Sequence, residues 1–231
     1  MRFFYFHFFV LFFLPVYPFC IIFAHMKHLF LHILFTLILG CWCLEARAQY
    51  SGTFQVNVKC GGRDIPVTFS RHSKRKEFAS VGEGKYGSPA NDTTAAGRIV
   101  IPDSVSDAEG ARYRVFGVNR YAFGHCARLT EVVLPDSLQE IGDQAFVRCT
   151  SLREVTLPKS LRVIYPFAFA DCKQLNIIRL HAAKRPSVYN DIFDQQTLSQ
   201  ATLVIPAGTA SDYKNSLVFG MFRYMMEDFD Q

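Results

Sequence analysis

The chain has 231 residues, half of them apolar, and carries 25 basic residues against 20 acidic ones for a net charge of +5. That length admits one or two domains, and the positive excess is too small to point to a nucleic-acid partner. The apolar residues are unevenly spread, since residues 1 to 48 hold 11 of the 23 Phe, the only Trp and three of the seven Cys.

That first stretch reads as a targeting segment. Met26-Lys27-His28 gives a short basic start, LFLHILFTLILG an apolar run, and Ala46-Arg47-Ala48 the small-x-small pattern of a signal peptidase site. We expect a signal peptide over residues 26–48, cleaved after Ala48, and a mature start at Gln49. Residues 1–25 then read as an upstream extension ahead of the true start, or alternatively as a membrane span over residues 3–24, a length near the roughly 20 residues that a bilayer needs. Cys41, preceded by Ile38-Leu39-Gly40, offers a third reading as the lipidated cysteine of a lipoprotein. Membrane association would follow only from such an anchor or span.

Residues 49–97 read as an N-terminal cap. FQVNVKC and IPVTF alternate and are β-branched, as strands are. RHSKRKEF and then GEGKYGSPANDTTAAG read as a polar, mobile connection. GEGKYGS is not a phosphate loop, because Ala79 stands where the first Gly is required and no Ser or Thr follows Lys85. Arg71, Lys74, Arg75 and Lys76 form the densest charge run, either a solvated loop or a patch for an acidic glycan or anionic surface. Asn91-Asp92-Thr93 matches the N-glycan acceptor pattern.

A repeat array follows over residues 98–205. LTEVVLPDSLQEIGDQAFVRCTS, from Leu129 to Ser151, is succeeded by LREVTLPKSLRVIYPFAFADCKQ, from Leu152 to Gln174, at a period of 23 residues. Apolar or Cys side chains recur at seven offsets: Leu129/Leu152, Val132/Val155, Leu134/Leu157, Leu138/Leu161, Ile141/Ile164, Phe146/Phe169 and Cys149/Cys172. One copy is too short to bury its own apolar side chains, so copies must stack into a solenoid. Each reads as a short strand ended by Pro135, Pro158 or Pro206, then a turn or short helical segment. An earlier copy places Ile99 and Ile101 in the strand and Phe123 and Cys126 in the second half, with ten extra residues around SDAEGARYRV expected as a surface loop. A later copy decays, with Lys184 and Ser187 at the next two apolar offsets. Leu203, Ile205 and Pro206 give a last strand before an aromatic C-terminal cap over residues 206–231.

Catalytic chemistry finds no support. Cys126, Cys149 and Cys172 fall in one core-facing column, where thiols pack as small apolar groups; a disulfide would leave one of the three unpaired. His125 beside Cys126 reads as a turn histidine, and His72 and His181 lack metal-ligand spacing. We expect no enzyme, no metal and no cofactor.

LPDSLQEIGDQAFVRCTSL and LPKSLRVIYPFAFADCKQL, with the flanks GRIVIPDSV and ATLVIPAGTASDYK, resemble the BspA-type (treponemal) leucine-rich repeat family of bacterial surface proteins. The resemblance covers residues 98–231 and implies a curved right-handed solenoid, exported, with a protein partner such as a host matrix or cell-surface protein. A structural or carrier subunit of a surface assembly is the alternative. It also implies that outward strand positions line the concave face: Arg98, Glu131, Glu154, Ile177 and Thr202 in one row, and Val100, Val133, Thr156, Arg179 and Val204 in the next. That mixture of apolar and charged groups suits a protein partner.

Overall fold

The computed structural model describes residues 52–83, 93–189 and 191–229. The chain divides into two units, residues 1–51 and 52–231, and every described residue lies in the second. The signal peptide, Cys41 and residues 84–92, with Asn91 among them, lie outside the described residues.

Two parallel ladders run through the array. The first joins β4 (Ala96–Val100), β7 (Arg128–Val133), β9 (Glu154–Leu157), β11 (Ile177–Leu180), β13 (Thr202–Pro206) and β14 (Tyr224–Asp228). Val132 pairs with Val155 and Ile178 with Val155, so the register follows the sequence period. Ile99 pairs with Val132, which places the ten extra residues between β4 and β7. Alternation along each strand sends Val155 and Leu157, or Ile178 and Leu180, into the core and leaves their neighbours half-buried on the other face. Pro135 and Pro158 lie beyond their strands, whereas Pro206 is the last paired residue of β13, opposite Asp228.

The second ladder joins β6 (Arg112–Val118), β8 (Glu140–Ile141), β10 (Val163–Ile164) and β12 (Ser187–Val188). Val118, Ile141, Ile164 and Val188 pair in succession. At Ser187 the apparent decay of the later copy is therefore a shift of one residue, with Val188 continuing the row and packing against the core, whereas Lys184 at the other apolar offset is exposed. Inward residues of both ladders meet in one apolar cluster.

Between β8 and the next copy the backbone makes successive turns where a short helical segment was one of the expectations. Alternate amides explain this. Ala145 and Cys149 N–H donate within the copy, to the carbonyls of Gly142 and Phe146, while Phe146 and Arg148 N–H donate to Ala168 and Ala170 of the next copy. A helix would turn every amide along its own axis and lose the lateral bonds. The alternation needs left-handed backbone at Gln144 (φ 56°) and Arg148 (φ 59°), repeated at Phe167 and Asp171 and at Tyr121 and His125. Only the last copy carries a helix here, α1 (Gln195–Gln200), where Asp194 Oδ1 accepts from Thr197 N–H at 2.7 Å.

At the N-terminal side, β1 (Thr53–Cys60) and β2 (Arg63–Arg71) form a hairpin, and β3 (Phe78–Val81) follows. β1 pairs with β4 and β3 with β6, so this unit joins the two ladders into one continuous sheet. Residues 72–77 form the turn between β2 and β3, in which His72 Nδ1 accepts from the amides of Lys74 and Arg75. SDAEGARYRV is likewise a hairpin, β5 (Ser104–Ser106) against β6, with Asp107 to Gly110 in its turn. Both are locked by one cluster. Arg71 Nη2 donates to Asp107 at 2.9 Å, Tyr113 OH donates to the same carboxylate at 2.8 Å, and the guanidinium lies 5.4 Å from the Phe54 ring centroid.

At the other end, α2 (Ala210–Lys214), a 3₁₀ turn (Phe219–Met221) and β14 cover the last copy. Tyr213 and Phe219 are fully buried, and Phe222 packs edge-on against Phe193 at 5.3 Å.

Candidate binding face

The ten outward strand residues lie on one face of the first ladder, in two paired rows. Arg98, Glu131, Glu154, Ile177 and Thr202 are successive partners, as are Val100, Val133, Thr156, Arg179 and Val204. Arg98 and Val100 are exposed and the other eight are half-buried, because strands about 4.8 Å apart shade one another.

Glu131 and Glu154 sit side by side, a like-charge contact that costs stability unless each finds a cation. Each does. Arg98 Nε donates to Glu131 Oε1 at 2.8 Å, and Arg179 Nε to Glu154 Oε1 at 2.7 Å. The four charges cancel, so the centre of the face is polar but neutral and the remaining six positions are aliphatic or Thr.

The rows continue one strand further than the sequence indicated. Tyr224 pairs with Thr202 and Met226 with Val204, and both are exposed. They add an aromatic and a thioether group, the residue types enriched at protein interfaces. YMMED gave little strand signal, because Met, Glu and Asp are poor strand formers; alternation of Tyr224, Met226 and Asp228 was the available clue.

Other sequence candidates resolve differently. Cys60, Cys126, Cys149 and Cys172 are buried thiols, with the Sγ of Cys149 and Cys172 donating to the carbonyls of Phe123 and Phe146 at 3.2 Å. Burial pushes the Cys149 thiol well up and the Cys172 thiol to about 12, so neither is a nucleophile near neutral pH. His125 lies in its turn with Nε2 3.1 Å from Tyr121 OH. Arg71 is consumed by the Asp107 cluster, and Arg75 stands 5.1 Å from the Phe116 ring centroid, so the densest charge run is only partly available to a ligand. Among the described residues no group of three or more His, Cys, Asp or Glu could hold a metal, and no helix is long and apolar enough to cross a membrane.

Residues 117–214 match the BspA type leucine-rich repeat region in six copies. This stretch is a BspA-type leucine-rich repeat region. The solenoid is similar to a leucine-rich repeat protein from Bacteroides capillosus ATCC 29799, at 28% identity and a TM-score of 0.52, over 68% of this chain and 99% of that one. A leucine-rich cell surface protein from Faecalibacterium prausnitzii A2-165 is 22% identical with a TM-score of 0.45, over 65% of this chain and 37% of that one. Comparison with curated proteins gives no match. The family match and the likeness to the Bacteroides capillosus protein bear out the leucine-rich repeat architecture read from the doubled block.

Proposed function

We propose that the protein is exported and acts, without catalysis, as a protein-binding or adhesion module at the bacterial cell surface, through the outward face of its first strand ladder. The observation that carries this reading is the pair of continuous rows ending at exposed Tyr224 and Met226, beside a charge-neutral centre. Such a face offers apolar and aromatic anchors with little desolvation of unpaired charge, which is what stable protein contacts require. Export is supported by the leader pattern ending at Ala48, with lipidation at Cys41 as the alternative form of attachment. The domain division that goes with it is a leader over 26–48, a cap over 49–97, repeats over 98–205 and a closing cap over 206–231.

The test is binding of the mature protein to purified host matrix proteins by biolayer interferometry. Thr156→Arg and Tyr224→Ala, both outside the core, should weaken any interaction found while leaving the melting temperature within a few degrees. Unchanged binding in both variants would remove the face from the interaction, and N-terminal sequencing with mass spectrometry decides between Gln49 and a lipidated Cys41 as the mature start.

A further inference from the structure

A second site lies away from the strand face, where the copies pass from the first ladder to the second. Gln139, Lys159, Ser160, Leu161, Arg162, Lys184, Arg185 and Ser187 line a recess of about 590 Å³, and none of the ten strand-face residues takes part. That volume is in the range of small-molecule sites. Its lining holds four cations and no carboxylate. Lys159 and Arg185 have acidic neighbours outside the lining, Asp136 at 3.3 Å and Asp212 at 3.6 Å. For Arg162 and Lys184 no carboxylate lies within ion-pair distance among the described residues, and both side chains are exposed.

Two features of the array bring these residues together. Stacking lays PKSLR of one copy beside AAKRPS of the next, with Ser187 N–H donating to the Arg162 carbonyl at 2.8 Å. The one-residue shift of the later copy then brings Ser187 opposite Val163, and Ser187 lines the recess. Ser160 Oγ already donates to the Leu138 carbonyl at 2.6 Å, so toward a ligand this hydroxyl is an acceptor.

We propose that this recess binds a sulfated saccharide. Two uncompensated cations flanked by two more call for a ligand with several anionic groups, and a guanidinium grips a sulfate through paired N–H donors. The Ser160 and Ser187 hydroxyls and the Gln139 amide match the sugar hydroxyls between those groups. A peptide fits less well, because Leu161 is the only apolar lining residue and is itself only 3% exposed, leaving no cavity for an anchoring side chain. Single-stranded nucleic acid fits less well again, because no aromatic ring lines the recess to stack a base.

The experiment titrates the mature protein with a heparin-derived octasaccharide at low ionic strength. Saturable binding that weakens as salt rises is expected, with loss of about tenfold or more in affinity for Arg162→Glu/Lys184→Glu. The milder pair Arg162→Gln/Lys184→Gln should lose severalfold, and circular dichroism should show both variants folded. Arg71→Gln would disturb the Asp107 cluster, so the control for the other basic run is Lys74→Gln/Lys76→Gln, which should bind as the wild type does. Unchanged affinity in the folded charge-reversal variant, absence of binding by the wild type, or a polyglutamate peptide binding as tightly as the octasaccharide would each overturn the proposal. Because the strand face is untouched by these variants, their outcome is independent of the matrix-protein measurement.

Discussion

Phe146 stacks on Phe169 with ring centroids 5.2 Å apart and planes within 3° of parallel. Phe123 continues the column on one side at 5.3 Å and Phe193 on the other at 5.6 Å. Each ring thus belongs to the interface between two copies rather than to one copy, and truncating a central one opens both of its interfaces. Phe146→Ala should therefore cost about 3 to 5 kcal/mol of unfolding free energy, measured by urea denaturation. A loss below about 1 kcal/mol would mean that the column is dispensable.

The thiol column behind these rings predicts protection. Cys126, Cys149 and Cys172 are buried thiols, so the folded protein should resist iodoacetamide at pH 8 and react at all three sites in denaturant. Burial raises the Cys149 and Cys172 thiols, Cys172 from an ordinary value of about 9 to about 12. The folded form then holds its proton where the unfolded form has lost it, so stability is intact below about 9 and falls as pH rises toward about 12. Denaturant midpoints of wild type and Cys172→Ser/Cys149→Ser across pH 8 to 11 would check this, with the alkaline slope expected to shrink in the double variant.

At the N-terminal side the pH dependence has the opposite sign. Desolvation pushes the Asp107 carboxyl up, but hydrogen bonds from Tyr113, Arg71 and the Ala111 amide outweigh it and hold the group below the usual carboxylate range. Its contribution is therefore complete above the unfolded value and disappears as pH falls through the folded one. Asp107→Asn should lower the melting temperature at pH 7 and flatten its decline in acid. An unchanged acid limb would show that the cluster does not control the fold of the β5–β6 hairpin.

Much of the architecture was legible because the inward residues repeat. Val132, Val155 and Ile178 lie at one spacing, and a stack is the arrangement that buries them all. The second ladder was hidden, since β8 and β10 are two residues long and Glu140-Ile141 looks the same in a turn. The one-residue shift at Val188 was hidden too, because Ser187 falls at the expected spacing and nothing local marks the extra residue. On the strand face all ten residues fall into the two expected rows, while Tyr224 and Met226 arrive through β14, a strand without strand-like composition. Charge misled most. Arg71 to Lys76 are neighbours in sequence yet partly spent on Asp107 and Phe116, whereas the cations of the recess come as two short pairs on separate copies that only stacking joins.

Close approach between copies gives the sharpest single-residue prediction. A Cβ at Gly142 would stand 2.6 Å from the Arg120 nitrogen, 2.8 Å from the Asn119 carbonyl carbon and 2.9 Å from the Val118 oxygen, all backbone atoms of the preceding copy. The same amide donates to the Val118 carbonyl at 2.7 Å, so the two copies cannot separate without losing a lateral bond of the second ladder. Here it is the absence of a side chain, not left-handed backbone, that the position requires. Gly142→Ala should cost about 1 to 3 kcal/mol, as overpacking does in a close-packed interior, although alanine elsewhere in a chain usually stabilises by restricting the unfolded state. Ala at Gly110, where nothing lies within 4 Å but φ is +84°, separates the two causes: its penalty comes from backbone strain alone. Urea unfolding of the two variants checks the assignment. Equal amide exchange rates at Gly142 and Tyr165 in wild type and Gly142→Ala would indicate that the copies absorb the extra methyl without parting, and the close approach would then carry no stability.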